Sequence, residues 1–493
     1  MQYDLIIIGS GPAGIATAEY FINSDKKVLI IESGNENKIL NYDYKKSKSK
    51  GDFKINFREE RKKAFFGTSA LWKAPGVGGT FWEFDLIDFE YKGLLKWGIE
   101  YNELKKAYQE AWKYLNISNQ LSNLDLKIEN KGWRALRKKY SIKIASSHFT
   151  FGKNYENFII KKGREIFDSK NINIIFNRNL KEIVLNNSKN KVEKIITIDN
   201  KGLEKSFFAK EIVLSTGCFE NNKILLNLIY KNNLNCKSAG RYITFHPYIN
   251  IGKVAIGKYN NFSKKELKEL NQAFILKNNN KDSQNKINYG ISISPRVQKN
   301  IISKTILKKI QIIKRRFLEK NFYAFLSTLL KFIISFDIFK YLIYKFKCYK
   351  NDPKEIDIAI SFEHLPSPKN RVIINKKYNS LEIKSCLSRK NLNFLKDIIS
   401  ENQSNLKKIF PEFKAKRINL EVLNFETGNH HHGGTIIGNE NIGVVNQNLK
   451  FYNLKNLYIA GSSIFPNSSI YNPTFTIIAM SLRLSKYLFS KIS

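Results

Sequence analysis

Three of the six histidines in this 493-residue chain stand side by side, His430, His431 and His432, with Gly433 and Gly434 straight after. An imidazole has an ordinary pKa of about 6.5, so near neutrality it can take a proton from a hydroxyl and release it again. Three adjacent side chains do not converge on one metal centre without contorting the backbone, and no cysteine or HxxxH spacing lies nearby. The run therefore reads as acid–base chemistry, with no metal site expected. One ring must then be held against a reactant, and the elements that hold it have to be found elsewhere in the chain.

A second chemistry-bearing stretch lies at the opposite end. YDLIIIGSGPAGIATAEYFINSDKKVLIIES, from Tyr3, reads as strand, glycine turn, helix, strand. Leu5–Ile8 and Val28–Ile31 are apolar runs of the buried parallel-strand type. Gly9, Gly11 and Gly14 form GxGxxG: the first permits a tight turn, the second lets a pyrophosphate approach the backbone, and the third lets helix and strand pack closely. The helix that begins at Pro12 and Ala13 offers free N–H groups and a positive dipole end to phosphate. Glu32, 18 residues after Gly14 and followed by Ser33, is placed to accept from ribose hydroxyls. The unit predicts dinucleotide binding, and by itself does not choose between FAD and NAD.

The rest of the composition bounds the reading. A chain this long with 42% hydrophobic and 13% aromatic residues can bury a sizeable core. The net charge of +40 comes from lysines scattered along the whole chain, which reads as compositional bias; no nucleic-acid motif accompanies it. Four separated cysteines without a CxxC fit a reducing compartment. Met1 runs straight into a strand-like segment with no signal-peptide pattern, and no uncharged apolar window of about 18 residues is present. A cytoplasmic protein is expected.

Two distant stretches identify a family. GVVNQNLKFYNLKNLYIAGSSIFPNSSIYNPTFTIIAMSLRLSKYL, from Gly443, and EHLPSPKNRV, from Glu363, resemble the glucose–methanol–choline (GMC) flavin oxidoreductases. GTSALW (Gly67–Trp72), GGTFWEFDLIDFE (Gly78–Glu90), FGKNYE (Phe151–Glu156), VLSTGCFENNKILL (Val213–Leu226) and GRYITFHP (Gly240–Pro247) match the same family in the same order. The bacterial branch whose members often act on sugars or glycan precursors is the most similar.

The resemblance implies an α/β fold: a Rossmann-like FAD-binding domain from residues 1–240 and 425–493, and an α+β substrate domain on an antiparallel sheet from 241–424. Residues 60–95 would cover the flavin, with KAPGV (Lys73–Val77) as a short insert. Relatives that attach FAD covalently use a histidine in the GTSALW motif, where Leu71 stands here, so non-covalent FAD is expected. The implied cofactor residues are Thr68, Ser69 and Trp72 in that motif, Val184 at the adenine, Thr216 and Gly217, Gly461 and Ser462 at the phosphate and ribitol, and Asn472, Pro473 and Thr476 at the isoalloxazine.

The family also supplies a partner for the histidines. Its base stands three residues before a glycine, and a His or Asn follows about forty residues later, ahead of a proline in this branch. That gives His430, ahead of Gly433, and Asn472. Counting from Gly434 instead would give His431; Gly438 fits the first register. Removing a hydroxyl proton while hydride leaves the carbon needs a base such as His430 and an amide such as Asn472 to orient the oxygen. His431 would be a variable neighbour, His432 sits where the family is apolar, and His246 reads as structural, like His148 and His364.

The expected function is an FAD-dependent dehydrogenase oxidising a CH–OH group of a sugar or sugar-like alcohol, within glycan synthesis. The alternatives are an O₂-using alcohol oxidase and an inactive flavin-containing protein bound at a membrane surface. The electron acceptor stays open. Residues 301–350 carry 12 Lys/Arg against Glu319 and Asp337, a local net of +10, with apolar runs between. They read either as an amphipathic insert packed on the substrate domain or as a basic face at the inner side of an anionic membrane.

Overall fold

The computed structural model describes residues 2–73 (without 43 and 45), 78–89, 95–116, 130–144, 147–150, 158–255, 274–278, 288–296, 322–335, 355–421 (without 376 and 378) and 425–492, with positions 313, 317 and 339. The KAPGV insert beyond Lys73, FGKNYE and most of 301–350 lie outside the described residues.

The apolar run at the N-terminus forms strand β1 (Gln2–Ile8), buried over Leu5–Ile8. After the glycine turn comes helix α1 (Pro12–Ala18), then β2 (Val28–Ile31), which pairs parallel to β1 with Leu5 opposite Val28. Ile172–Ile175 extends the sheet beyond β2, also parallel. An antiparallel meander follows: β3 (Arg178–Leu185), Val192–Asp199 and the long β4 (Glu204–Leu214). The second half of β4 pairs parallel to the free edge of β1. From β4 the chain enters helix α2 (Cys218–Asn232). The sheet is closed more than 200 residues later by Leu457–Ile459, parallel to β4, and the last helix, Thr474–Ile492, packs on α1.

Leu5–Ile8, Val28–Ile31, Ile212–Leu214 and Leu457–Ile459 are apolar and buried throughout, because both faces of the sheet are covered there. Their C-terminal ends meet at one edge. Gly9, Glu32, Ser215 and Ala460 each follow directly on such a strand end, and this is where an open α/β sheet leaves a crevice.

A second sheet has six antiparallel strands, in the order Phe413–Ala415, Tyr248–Ala255, Glu355–Phe362, Tyr289–Arg296, Phe274–Asn278, Tyr140–Ile144. Its edge strand at 140–144 comes from the stretch assigned above to the FAD-binding domain. The helix Arg389–Ile409, capped by Ser388, buries Leu395, Ile398, Ile399 and Leu406 in the same core. The strands Arg371–Asn375 and Ser380–Ser385, in the EHLPSPKNRVII and LEIKSCLS segments, form a hairpin that pairs with Lys48–Gly51 in a sheet of its own.

Candidate active site

The glycines around the histidine run are explained by close backbone approach. Gly428 has φ +67°, and a Cβ there would stand 2.2 Å from the His246 carbonyl oxygen. Gly433 has φ +84°, with the Tyr242 carbonyl oxygen 2.1 Å from such a Cβ. These are positions only glycine occupies without strain. They let His431–His432 lie antiparallel to Thr244–Phe245, with Phe245 opposite His431. That pairing sets His246 beside His430.

The three rings do three different things. His430 is half-buried, and its Nδ1 lies 3.1 Å from Nδ1 of His246. Its Nε2 has no hydrogen-bond partner among the described residues. Burial, reinforced by the neighbouring imidazoles, holds its pKa well below the ordinary value, so the ring is neutral at pH 7. His431 is buried over Phe219 and donates Nε2–H to the Glu60 carboxylate at 2.5 Å. Glu60 also accepts from Thr427 Oγ1 at 2.9 Å and from the Asn56 amide at 2.6 Å. Burial opposes its ionisation, but these donors, His431 first, outweigh it and keep the carboxylate charged. His432 is fully buried, stacked on Phe465, with neither ring nitrogen hydrogen-bonded among the described residues. It fills an apolar position with a neutral ring.

A cavity of about 650 Å³ opens at the strand ends, within the range of cofactor pockets. Its wall brings together Gly9, Gly11, Pro12, Ala13, Glu32 and Ser33 from the N-terminal unit, and Thr68, Ser69, Leu71 and Trp72 from the GTSALW motif. Thr216, Gly217, Gly461, Ser462, Asn472, Pro473, His430 and His431 complete that wall. Residues separated by more than 400 positions thus face one space.

Gly11 has extended backbone, and a Cβ there would meet nothing within 4 Å among the described residues. The space in front of it is open for a ligand to approach. Gly14 does not reach the wall: a Cβ there would lie 1.9 Å from the Gly9 carbonyl oxygen, so its task is packing. Glu32 is buried, and its carboxylate accepts from the Ser10 amide (2.9 Å), Ser10 Oγ (2.7 Å) and the Gly34 amide (2.6 Å). It ties the two turns of the dinucleotide unit together. Burial raises its pKa despite these donors.

Two implied residues sit elsewhere. Val184 is not on the cavity wall; Arg178, Asn179 and Leu180 of the same strand are. The chain turns at Asn177, with its amide on Gly34 O and the Arg178 amide on Glu32 O, so it is the start of β3 that lies beside Glu32. Val184 is farther along, paired with Lys194. Thr476 also misses the wall. Its hydroxyl is buried against Tyr108 Oη at 2.6 Å, while Pro473, Thr474 and Ile477 face the cavity. Thr474 and Ile477 are three residues apart and share a helix face; Thr476, two residues from Thr474, points to the helix Tyr101–Leu115.

Asn472 donates from Nδ2 to Thr80 Oγ1 at 2.9 Å. Thr80 also accepts from Trp82 Nε1–H at 2.7 Å and lines the cavity. The amide is therefore anchored by one N–H, and its second N–H and its oxygen have no partner among the described residues.

Several wall residues carry no mark in the sequence. Glu60 and Arg61 belong to a charged run, REERKK, that reads as a solvated face. In the fold, Arg61 Nη2 donates to Thr216 O at 3.3 Å and fills the space against Gly217, where a Cβ would stand 1.7 Å from it. Tyr42 and Tyr44 stack on each other, and Tyr44 donates to Glu220 at 2.9 Å. Lys223 lies on the same wall. Among the other histidines, His364 is buried on Phe53 with Nε2 on Asn370, a core role. His148 lies in the strand Ser147–Thr150.

Residues 387–481 match the sequence model of the family described as GMC oxidoreductase. Pyridoxine 4-oxidase from Mesorbium loti superposes over 98% of this chain and 99% of its own, with a TM-score of 0.60 at 13% identity. Formate oxidase from Aspergillus oryzae RIB40, in a structure concerned with an R554A mutation and FAD modification, covers 99% of this chain and 98% of its own, with a TM-score of 0.53 at 14% identity. Among curated protein sequences there is no match.

Proposed function

We propose, from the match of residues 387–481 to the GMC oxidoreductase family and the superposition of nearly the whole chain on two solved oxidases, an FAD-dependent oxidoreductase that oxidises the CH–OH group of a sugar or sugar-like alcohol. FAD, when bound, supplies the hydride acceptor. The observation that carries the reading is that His430, with Nε2 unengaged among the described residues, and Asn472 share one cavity wall with the Gly9–Gly11 turn and Glu32. The turn, the N-terminus of α1 and the open face of Gly11 would hold the pyrophosphate. Leu180 and Glu32 would face the adenosine half, and Gly461, Ser462 and Pro473 the flavin half. Leu71 offers no nucleophile to the cavity, which supports dissociable FAD.

The chain's own chemistry is then simple. Nε2 of a neutral His430 takes the hydroxyl proton, and the free N–H of Asn472 holds the oxygen from which it leaves. Base catalysis of this kind is worth about 10²–10⁴-fold. Tyr42, Tyr44, Arg61, Glu220 and Lys223 add aromatic faces and charged groups to the wall, a lining suited to a hydroxyl-rich substrate. The test is anaerobic bleaching of the bound flavin by a panel of sugars, in the protein and in His430→Ala. Loss of bleaching in the variant is expected; undiminished reduction would sink the assignment. Reoxidation of the reduced protein in air decides between dehydrogenase and oxidase.

We also propose that the insert meets an anionic membrane. Helix α3 (Phe322–Ile334) exposes Phe322, Tyr323, Leu326, Leu330, Ile333 and Ile334, and Phe332 is its one buried residue among the described residues. An apolar face exposed within a segment of net charge +10 fits a lipid surface better than a packed insert. No helix among the described residues is long and apolar enough to cross a membrane. Co-sedimentation with phosphatidylserine vesicles at low salt, lost in Tyr323→Glu/Ile334→Glu, is expected; equal binding by the variant would refute it.

A further inference from the structure

The hydrogen bonds behind His430 decide where its proton sits. His246 Nε2 lies 2.9 Å from the Ile470 carbonyl oxygen and 2.8 Å from Ser361 Oγ. A carbonyl oxygen only accepts. If Nε2 of His246 were bare, its lone pair would face that oxygen at hydrogen-bond distance, so the proton belongs on Nε2. A neutral imidazole carries one N–H, and burial holds His246 neutral with a pKa of about 4. Its Nδ1 is then an acceptor.

That acceptor is 3.1 Å from Nδ1 of His430. Two bare nitrogens would repel there and two N–H groups would collide, so the His430 ring carries its proton on Nδ1. Its Nε2 is left bare, on the side of the ring away from His246, in a residue that lines the cavity.

We infer that His246 is a positioning residue: the Ile470 carbonyl fixes its Nε2–H tautomer, and its bare Nδ1 in turn holds the His430 proton on Nδ1, so that His430 presents an unprotonated Nε2 to the substrate hydroxyl. This rests on the reading of His430 as the base. The relay also fixes position. Its end point, Ile470, lies two residues before Asn472, so the base and the orienting amide are referred to the same backbone segment. Ser361 comes from the strand Glu355–Phe362, which ties that frame to the antiparallel sheet. When Nε2 takes a proton, the imidazolium keeps donating from Nδ1 to a neutral partner. The proton moves from the substrate oxygen to Nε2 and nothing else is transferred along the relay.

Two side chains discriminate this role from packing. Asparagine places its oxygen near the position of imidazole Nδ1, so His246→Asn keeps an acceptor for His430. Glutamine places its amide near Nε2, so His246→Gln keeps the contact with Ile470 and loses the acceptor. Without an acceptor, His430 can move its proton to Nε2 and lose its base. Flavin reduction in His246→Gln is expected to slow about 10–100-fold, the usual loss when a group supporting an active residue is removed, while His246→Asn retains most of the rate. Equal rates in the two variants, high or low, overturn the inference.

A second measurement needs neither substrate nor flavin. With six histidines in the chain, ¹⁵N-imidazole NMR of the selectively labelled apoprotein reads each tautomer, with His246→Gln and His430→Ala as assignment controls. Expected are N–H on Nε2 of His246 and on Nδ1 of His430; N–H on Nε2 of His430 overturns the relay. Failure of the base assignment has a different signature, namely normal flavin reduction in His430→Ala with these tautomers intact.

Discussion

Two glycines of one motif make opposite predictions. Gly11 has extended backbone at φ −68° and ψ −179°, and a Cβ there meets no atom of the described residues within 4 Å. Alanine at this position is compatible with the fold. By reducing the freedom of the unfolded chain it should leave the apoprotein unchanged or stabilise it by about 0.4–1 kcal/mol. What the methyl does occupy is the space through which, on the proposed function, a pyrophosphate would come to the amides at the start of α1. Losing one hydrogen bond to a charged oxygen costs about 1.5–3 kcal/mol, or about 10–150-fold in FAD affinity. At Gly14 the same methyl would lie 1.9 Å from the Gly9 carbonyl oxygen. Helix and strand must then separate, an overpacking cost of about 1–3 kcal/mol or more, paid by the apoprotein before any ligand is added. The assays are chemical denaturation of each apoprotein and titration with FAD followed by flavin fluorescence. Gly11→Ala should unfold like the parent and bind FAD weakly, and Gly14→Ala should unfold at lower denaturant. A Gly11→Ala protein that binds FAD with parental affinity would refute the placement of the pyrophosphate on this turn.

Three further outcomes follow from the buried ionisable groups. Burial lowers the pKa of His246 to about 4 and of His364 to about 3, so between these values and 6.5 the unfolded chain takes protons that the folded chain refuses. Stability should therefore fall as pH drops below 6.5, by about 3 kcal/mol from His246 alone once pH 4 is reached; a melting temperature flat from pH 6.5 to 4 would contradict this. The same sign applies to catalysis: with His430 held well below the ordinary histidine value, kcat/KM for flavin reduction should stay level as pH falls through 6.5 and decline only below it, read by anaerobic stopped flow. Glu60→Gln cannot accept all three of the donations from Asn56, Thr427 and His431 on its single carbonyl oxygen, and should destabilise the protein by about 1–3 kcal/mol in urea unfolding.

The legible parts of this protein are those whose physics is local. GxGxxG between two apolar runs, with an acid ending the second, reads as strand, turn, helix, strand because each residue's task is met within thirty positions. The fold puts Gly9, Gly11 and Glu32 at one strand-end edge for that reason. His430 and Asn472 were selected by family spacing, and both line the cavity. The separation of roles among the three rings depended on partners distant in sequence. Only the pairing of 244–245 with 431–432 brings His246 to His430, and only the fold brings Glu60 to His431. Nothing in REERKK distinguishes a buried carboxylate from a solvated one, since burial is a property of what packs on top.

Val184 and Thr476, which miss the wall as Gly14 does, show the same limit at finer scale. In β3 the stretch that reaches the cavity is fixed by where the chain turns beside Glu32, and a four-residue shift, from Leu180 to Val184, is invisible to a pattern of alternating apolar residues. On the last helix, Thr474 and Thr476 are equivalent in composition but lie on different faces, and which face meets the cavity is decided by the packing of the Tyr101–Leu115 helix. The sequence by itself determined the classes of element and the chemistry available. Tertiary structure alone decided how far each imidazole is buried and what stands opposite it, because those depend on packing and on hydrogen bonds between residues hundreds of positions apart.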